Sequence, residues 1–289
     1  MEKSEILFES YNMALEESFN EIFMSNKSHE LLNVEDEKVR KHLEKDLEKW
    51  ANTPNPSIGG ITPKDYFDSI TDLDKLMELF KMAAELCDDD IPKPLLDKLY
   101  TFGDDAVNRL LDLASDDKLL YDDEEQIIPI MAIKTIGKWK TVNALEPLIK
   151  LIYEISEDNE IIIEEILGTM IQMGQSAASR IMEILNESNS IGNLEEYLLD
   201  TLVKIGVTVK ERNFYDMIYR TIKGTFNKME NKLFGAICLG NFGDGRAIPV
   251  LRGYVEKNIN SIDYETFLEI KSSIHRLGGN IDDIDIRFN

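Results

Sequence analysis

The sequence predicts an all-α protein that is largely a solenoid of repeated helical pairs, and three observations support this prediction. Only eight prolines and sixteen glycines occur in 289 residues, which leaves room for long helices. Apolar residues recur at helical spacing along most of the chain. A glycine-containing pattern returns every 32 to 37 residues, a period typical of repeat proteins. We therefore expect an N-terminal helical segment over residues 1–90 and a repeat solenoid over residues 91–289.

Residues 1–50 are predicted to form two amphipathic helices. The apolar stripe of the first consists of Phe8, Tyr11, Leu15, Phe19 and Ile22, and that of the second consists of Val39, Leu43, Leu47 and Trp50. An amphipathic helix needs to bury its apolar face. Both stripes are therefore predicted to be core rather than partner-binding surface.

The stretch WANTPNPSIGGITPKDYF, residues 50–67, contains three prolines and two adjacent glycines, so it cannot be helical throughout. A helix start is predicted at Thr62 as the N-cap, with Pro63 in the first turn and Asp65 completing a capping box. We expect one helix after this start. One face of that helix would consist of Tyr66, Ile70, Leu73, Met77, Phe80 and Ala84.

The same stretch resembles a Pro-Asn-Pro-x-Leu-Gly-Gly-x-Thr-Pro motif of some bacterial antitoxins and other small bacterial helical domains, with Ile58 in the leucine position. This resemblance implies a bacterial origin and a protein-docking surface near Trp50, Asn55, Gly59 and Gly60. Nothing in the chain resembles the DNA-binding helices that usually precede this motif in antitoxins, which argues against a repressor.

The repeated pattern is clearest in LGNFGDGRAIPVL, residues 239–251, which could be a phosphate-binding loop or a turn between helices. Its spacing is G-x-x-G-x-G, whereas a dinucleotide-binding fold uses G-x-G-x-x-G after a strand, so we predict a turn. An apolar helix would end there at a residue in the left-handed conformation, which glycine adopts without steric cost. Alignment of the weaker copies on Gly243 gives six anchor positions: Gly103, Lys140, Gly174, Gly206, Gly243 and Gly278. The last copy, residues 273–289, is polar enough to cap the array.

These copies resemble HEAT-like repeats of the phycobilisome-lyase type, most closely over residues 229–256 and less closely over residues 126–152. The resemblance implies stacked helical pairs and an interaction role, since most proteins with such repeats are scaffolds or regulatory modules. The family's turn features carry over onto Asp244, Arg246 and Pro249, where the resemblance implies a structural role.

Charge and cysteine content narrow the choice of partner and compartment. The formal net charge of -23 is uneven, with -18 in residues 1–125 and -5 in residues 126–289. Such a field disfavours binding to nucleic acid and anionic membranes and favours a basic protein or peptide as partner. The alternative interpretation is that the acidic residues only keep the protein soluble. Two distant cysteines, Cys87 and Cys238, form no disulfide framework. With no signal peptide or membrane span recognisable in the sequence, we expect a cytoplasmic protein.

No cofactor, metal site or catalytic motif is predicted from the sequence. His29, His42 and His275 lie far apart and form none of the known zinc-binding patterns, so we interpret them as surface or core residues. The acidic runs at residues 88–90 and 116–125 lack the ligand spacing of a calcium-binding EF-hand loop and are interpreted as solvated loops. No nucleophile elbow, Walker A lysine or kinase signature is present.

Two functional hypotheses follow. The first is a non-enzymatic scaffold of a bacterial cell that binds a protein or peptide on the concave face of the solenoid. Its candidate partner-binding residues are Lys134, Lys138, Trp139, Lys140, Arg246 and Arg252. The alternative is a lyase-like or DNA-modifying enzyme built on HEAT-like repeats. A pocket rich in mutually close acids would favour the enzyme, whereas a broad polar groove would favour the scaffold.

Overall fold

The computed structural model describes residues 3–25, 37–88, 90–122, 126–156 and 159–284. Within these ranges it contains sixteen α-helices, three short 3-10 helices and no β-strand, which confirms the all-α prediction. Contacts group the chain into two compact units, residues 1–139 and residues 140–289. These two units do not test whether the repeats begin after residue 90. That boundary stays a prediction.

The first unit contains eight α-helices in its described residues. They are α1 (Lys3–Ser25), α2 (Glu37–Ala51), α3 (Pro63–Asp68), α4 (Leu73–Leu86), α5 (Lys93–Tyr100), α6 (Asp104–Ala114), α7 (Asp117–Leu120) and α8 (Ile127–Trp139). Helix α1 packs on α2 and α4, α3 packs on α5, and α8 packs on α4 and α6. Fully buried Phe8 of α1 stacks on Phe67 of α3, with ring centroids 6.4 Å apart.

Both N-terminal stripes face the interior, as predicted. Phe8, Tyr11 and Leu15 are buried on α1, and Val39 and Leu43 are buried on α2. The remaining stripe residues are buried or half-buried: Phe19, Ile22, Leu47 and Trp50. The stripes therefore stabilise the unit by removing apolar surface from water.

The prediction of one helix after Thr62 is wrong, because that segment forms two helices, α3 and α4. The Ser69 hydroxyl donates to the Tyr66 carbonyl over 2.7 Å, and Asp72 caps α4 by accepting the amide proton of Asp74 over 3.0 Å. Short polar side chains compete in this way for backbone groups that a continuous helix would pair. The apolar pattern continues across the break between α3 and α4, because Ile70, which lies between these helices, is also buried.

The segment between α2 and α3 folds back on α1. Asn55 and Ile61 pair through an isolated backbone bridge around a 3-10 helix, Pro56–Ile58. The side-chain amide of Asn55 and the indole N–H of Trp50 both donate to the Ser10 hydroxyl, over 3.3 and 3.1 Å. Thr62 caps α3 as predicted, since its hydroxyl accepts the Asp65 amide proton over 3.0 Å, while the Asp65 carboxylate accepts from that hydroxyl. The predicted docking role of this segment stays a prediction.

The second unit also contains eight α-helices in its described residues. They are α9 (Leu145–Glu154), α10 (Glu160–Met173), α11 (Gln175–Glu187), α12 (Asn193–Gly206), α13 (Arg212–Lys228), α14 (Lys232–Phe242), α15 (Ile248–Lys257) and α16 (Tyr264–Arg276). Besides contacts between successive helices, α10 packs on α12, α12 on α14, α14 on α16, and α11 on α13. Lys228 at the end of α13 donates to three carbonyl groups at the C-terminal end of α11, those of Leu185, Asn186 and Ser188.

Five of the six anchor positions have a positive φ angle. Gly243 has φ 80° and ψ 13° at the end of α14, which confirms the predicted turn in the left-handed conformation. Lys140, with φ 51°, is the single non-glycine residue with positive φ among the described residues. The exception is Gly206, which is the last residue of α12. A Cβ there would lie 2.6 Å from Cε2 of Phe242, so this glycine serves close packing instead.

Small buried polar side chains occupy one register of the predicted repeat. The residues five positions before five consecutive anchors are Thr135, Thr169, Thr201, Cys238 and Ser273, and all five are buried. Where α14 meets α16, the Ser273 hydroxyl donates to the Ala236 carbonyl over 2.9 Å. A Cβ at Gly240 would lie 2.6 Å from that hydroxyl, so small residues at this level let the two helices approach closely.

Candidate functional site

Arg246 is held at the turn between α14 and α15 by residues of the second unit. Its Nε lies 3.0 Å from both carboxylate oxygens of Asp244, its Nη2 lies 2.7 Å from Asp216 of α13, and its guanidinium lies over the Tyr219 ring. The hydrogen bond from Arg246 lowers the pKa of Asp244. Asp244 also caps the 3-10 helix Gly245–Ala247, and Pro249 opens α15. These contacts hold the turn in place.

Arg252 and the lysines of α8 are also engaged within their own units. Arg252 donates to the Asp283 carboxylate over 2.9 and 2.7 Å and to the Asn280 carbonyl. Lys138 forms an ion pair with Asp90, and Lys134 lies 4.0 Å from the same carboxylate. These contacts hold the peptide after α16 on α15 and the peptide before α5 on α8.

Trp139 and Lys140 complete the set of candidate partner-binding residues. Trp139 is half-buried and makes an edge contact with Tyr100, with ring centroids 5.3 Å apart. Lys140 is exposed and forms no ion pair with the described residues. Five of the six candidates thus have internal partners, and Lys140 alone presents an uncommitted charge. Their role in partner binding stays a prediction.

Exposed carboxylates lie along α6 and α7 of the first unit and next to their ends. We call the following set the acidic strip: Asp104, Asp105, Asp112, Asp116, Asp117 and Asp122, all of them exposed. Two cations lie in the same stretch, and Arg109 is paired with Asp74 of α4. Lys118 is therefore the one remaining cation in residues 104–122. The strip presents a negative potential to solvent.

A cavity of about 300 Å³ lies where α1 meets α3 and α4. It is lined by Lys3, Ser4, Tyr66, Lys75, Glu78, Leu79 and Met82. Glu78 is its one carboxylate, and two lysines share the lining. This cavity therefore differs from the acid-rich pocket expected of an enzyme of this class.

Both cysteine thiols are held in their protonated form. Burial raises the pKa of Cys87 to about 12, with a further contribution from Asp88 and Asp90. Burial likewise raises the pKa of Cys238 to about 12. Because the thiolate is the nucleophile and the metal ligand, neither residue is activated for chemistry.

His42 forms a group with Glu21 and Asp46 that the sequence did not reveal, and the ligand atoms of the three side chains lie within 4.8 Å of one another. His42 and Asp46 are one helical turn apart, a spacing that was readable from the sequence. Glu21 comes from another helix, and its approach depends on how α1 packs on α2. His29 and parts of both acidic runs lie outside the described residues, as do residues 285–289 of the predicted cap.

Comparisons with known proteins add no family or relative. No protein-family model, curated protein or solved structure matches this chain. None of the described helices is long and apolar enough to span a bilayer.

Proposed function

We propose that this chain is a non-enzymatic protein-interaction scaffold built from HEAT-like helical pairs. One observation carries the proposal: side-chain hydrogen bonds join residues 34 or 35 positions apart, which is the period of the sequence pattern. The pairs are Asp74–Arg109, Glu146–Arg180, Asn186–Thr221, Glu196–Asn231 and Asn241–Arg276. Glu146 and Arg180 occupy the same position relative to their anchors, as do Asn241 and Arg276. Contacts between equivalent positions of neighbouring copies are what a stacked repeat array requires. Such arrays present extended surfaces for partner binding.

The same register extends the array toward the N-terminus. Arg109 and Arg180 each lie six residues after an anchor, and each contacts an acid one period earlier in the chain. The acid before Arg180 is Glu146, six residues after the anchor Lys140. The acid before Arg109 is Asp74 of α4, which puts the corresponding anchor at residue 68, where α3 ends. We therefore propose that α3 and α4 are a further copy and that the array begins before residue 91.

The charge distribution favours a basic partner. Candidate cations of both units are largely neutralised by internal carboxylates, whereas the acidic strip combines six exposed carboxylates with two cations in the same stretch. Exposed carboxylates steer a cationic segment toward the surface and mainly raise its association rate. A basic protein or peptide of a bacterial cytoplasm, bound through the acidic strip, fits these features better than a nucleic acid or an anionic membrane.

The proposal is tested by capture of a partner from a bacterial lysate at low salt after nuclease treatment, followed by titration with the purified partner. In the test variant Asp105, Asp112 and Asp117 are replaced by Asn. In the control variant Glu160, Glu164 and Glu187 of the second unit, which are also exposed, are replaced by Gln. Both variants change the net charge equally.

We expect the test variant to bind the partner about tenfold more weakly, because three exposed charge pairs of about 0.5 kcal/mol each sum to about 1.5 kcal/mol, and a tenfold change is roughly 1.4 kcal/mol. The control variant should bind as the unmodified chain does, and raising the salt concentration should narrow the difference. Equal weakening by both variants would contradict a role for the acidic strip. A small-molecule product formed on addition of the partner would favour the enzyme alternative instead.

A further inference from the structure

Helices α1 and α2 pack through a small apolar cluster with a polar group of side chains beside it. The cluster consists of buried Leu15, Ile22, Val39 and Leu43, with Phe19 and Leu47 partly buried around it. Glu21 extends from α1, and His42 and Asp46 extend from successive turns of α2. Two helices thus contribute an imidazole and two carboxylates to one position.

Of the two distances from the imidazole, the shorter matches that between two ligands of one small metal ion, and the longer exceeds it by about 0.5 Å. Nε2 of His42 lies 3.2 Å from Oδ2 of Asp46 and 3.8 Å from Oε2 of Glu21. Two ligand atoms at tetrahedral positions, each roughly 2.0–2.1 Å from a zinc ion, are about 3.3 Å apart. Charge-assisted hydrogen bonds between imidazole and carboxylate would bring these atoms to about 2.7–2.9 Å. The observed distances are longer than a direct hydrogen bond prefers, and they leave room for an ion between the three groups.

We propose that Glu21, His42 and Asp46 bind one Zn²⁺ ion, with water at the fourth coordination position. One nitrogen and two carboxylate oxygens are zinc ligands, and two carboxylates balance the charge of a divalent cation. The imidazole nitrogen of His42 disfavours Ca²⁺ and Mg²⁺ at this site, since both ions prefer oxygen ligands. Bound zinc would join α1 to α2 at the surface of their shared cluster.

Ser18 supports one of the ligands from behind. Its hydroxyl donates to Oδ2 of Asp46 over 2.7 Å, and the Ser18 side chain is almost completely buried. A hydrogen bond of this kind fixes the orientation of a ligating carboxylate before the ion arrives. Ser18 is therefore a positioning residue of the proposed site and does not bind the ion itself.

The test is isothermal titration of Zn²⁺ into the tag-free, chelator-treated full chain. The matched control is His275, which is similarly exposed and, among the described residues, forms one ion pair, with the Asp282 carboxylate at 4.0 Å. We expect one high-affinity equivalent in the unmodified chain and in His275→Ala. In His42→Ala and Asp46→Asn the dissociation constant should rise more than tenfold. Ser18→Ala should raise it by about tenfold to a hundredfold, the usual effect of losing a supporting hydrogen bond.

A second readout separates metal binding from a change in folding. Co²⁺ in place of Zn²⁺ should give the intense visible absorption of four-coordinate cobalt, and His42→Ala should lose it while keeping the helical circular dichroism of the unmodified chain. His42 is about half exposed, so its replacement should not unfold the helices. If His42→Ala binds zinc as tightly as the unmodified chain, or if the unmodified chain binds no equivalent, the group is only an ion pair and the proposal is overturned.

Discussion

Gly206→Ala should destabilise the protein, although alanine is normally the better helix residue. The added Cβ would lie 2.6 Å from Cε2 of Phe242 and 3.0 Å from Cγ2 of Ile218. Phe242 cannot easily move, because it is buried and its ring stacks on Tyr215 at 4.6 Å. Overpacking costs about 1–3 kcal/mol, whereas replacing a helical glycine by alanine recovers about 0.5–1 kcal/mol. The net loss should be about 1–2 kcal/mol.

Urea denaturation followed by circular dichroism measures this loss, and a melting temperature lower by about 5 °C should accompany it. Gly224→Ala is the matched control, since Gly224 lies within α13 and no atom lies within 4 Å of the added Cβ. We expect this control to stabilise the protein by about 0.5–1 kcal/mol. If both substitutions shift the free energy of unfolding in the same direction by similar amounts, the contact with Phe242 does not make Gly206→Ala destabilising.

Three further predictions follow from polar contacts and burial. Lys228→Met should lower the free energy of unfolding by about 1–2 kcal/mol, because three carbonyl groups at the end of α11 lose a charged donor. A urea midpoint equal to that of the unmodified chain would contradict this prediction. The hydrogen bond from Arg246 lowers the pKa of Asp244 below its ordinary value of 3.8. The ionised carboxylate therefore stabilises the fold above pH 3.8, and this stabilisation is lost as the pH falls through the lower pKa of the folded state. The stability gap between the unmodified chain and Asp244→Asn should therefore be widest above about pH 4 and should close in stronger acid, as measured by thermal melts across pH. Cys238, which is buried and has a pKa of about 12, should react slowly with a thiol reagent at pH 8 until urea unfolds the chain, and rapid reaction of Cys238 in the native protein would be evidence against its burial.

The turns of the predicted repeat were readable from the sequence because a positive φ angle imposes a residue type. Glycine at Gly243 follows from the left-handed end of α14. Lys140 shows the limit of that signal, because the backbone keeps a positive φ where the sequence has a lysine. At Gly206 the same residue type has another cause, since the contact with Phe242 brings together residues 36 positions apart.

Other features depended on tertiary contacts that periodicity does not encode. The break between α3 and α4 comes from side-chain hydrogen bonds of Ser69 and Asp72, while the apolar pattern continues across it. The sequence made Arg246 a candidate for partner binding as one of several basic residues on the predicted interaction surface. Its partner Asp244 lies only two residues away, but its second carboxylate partner, Asp216, lies on a different helix, so that ion pair could not be read from the sequence. The approach of Glu21 to His42 was hidden for the same reason.

Distances between spin labels in the second unit test whether the repeated helical pairs are stacked. Labels are placed on exposed residues two positions before the anchors: Gln172 of α10, Asn241 of α14 and Arg276 of α16. Alanine replaces both native cysteines. Packed helices lie roughly 8–10 Å apart, so each added copy should lengthen the distance by about 10 Å. We predict about 20 Å between labels at 172 and 241 and about 30 Å between labels at 172 and 276. A 172–276 distance no longer than the 172–241 distance would contradict the stacked array.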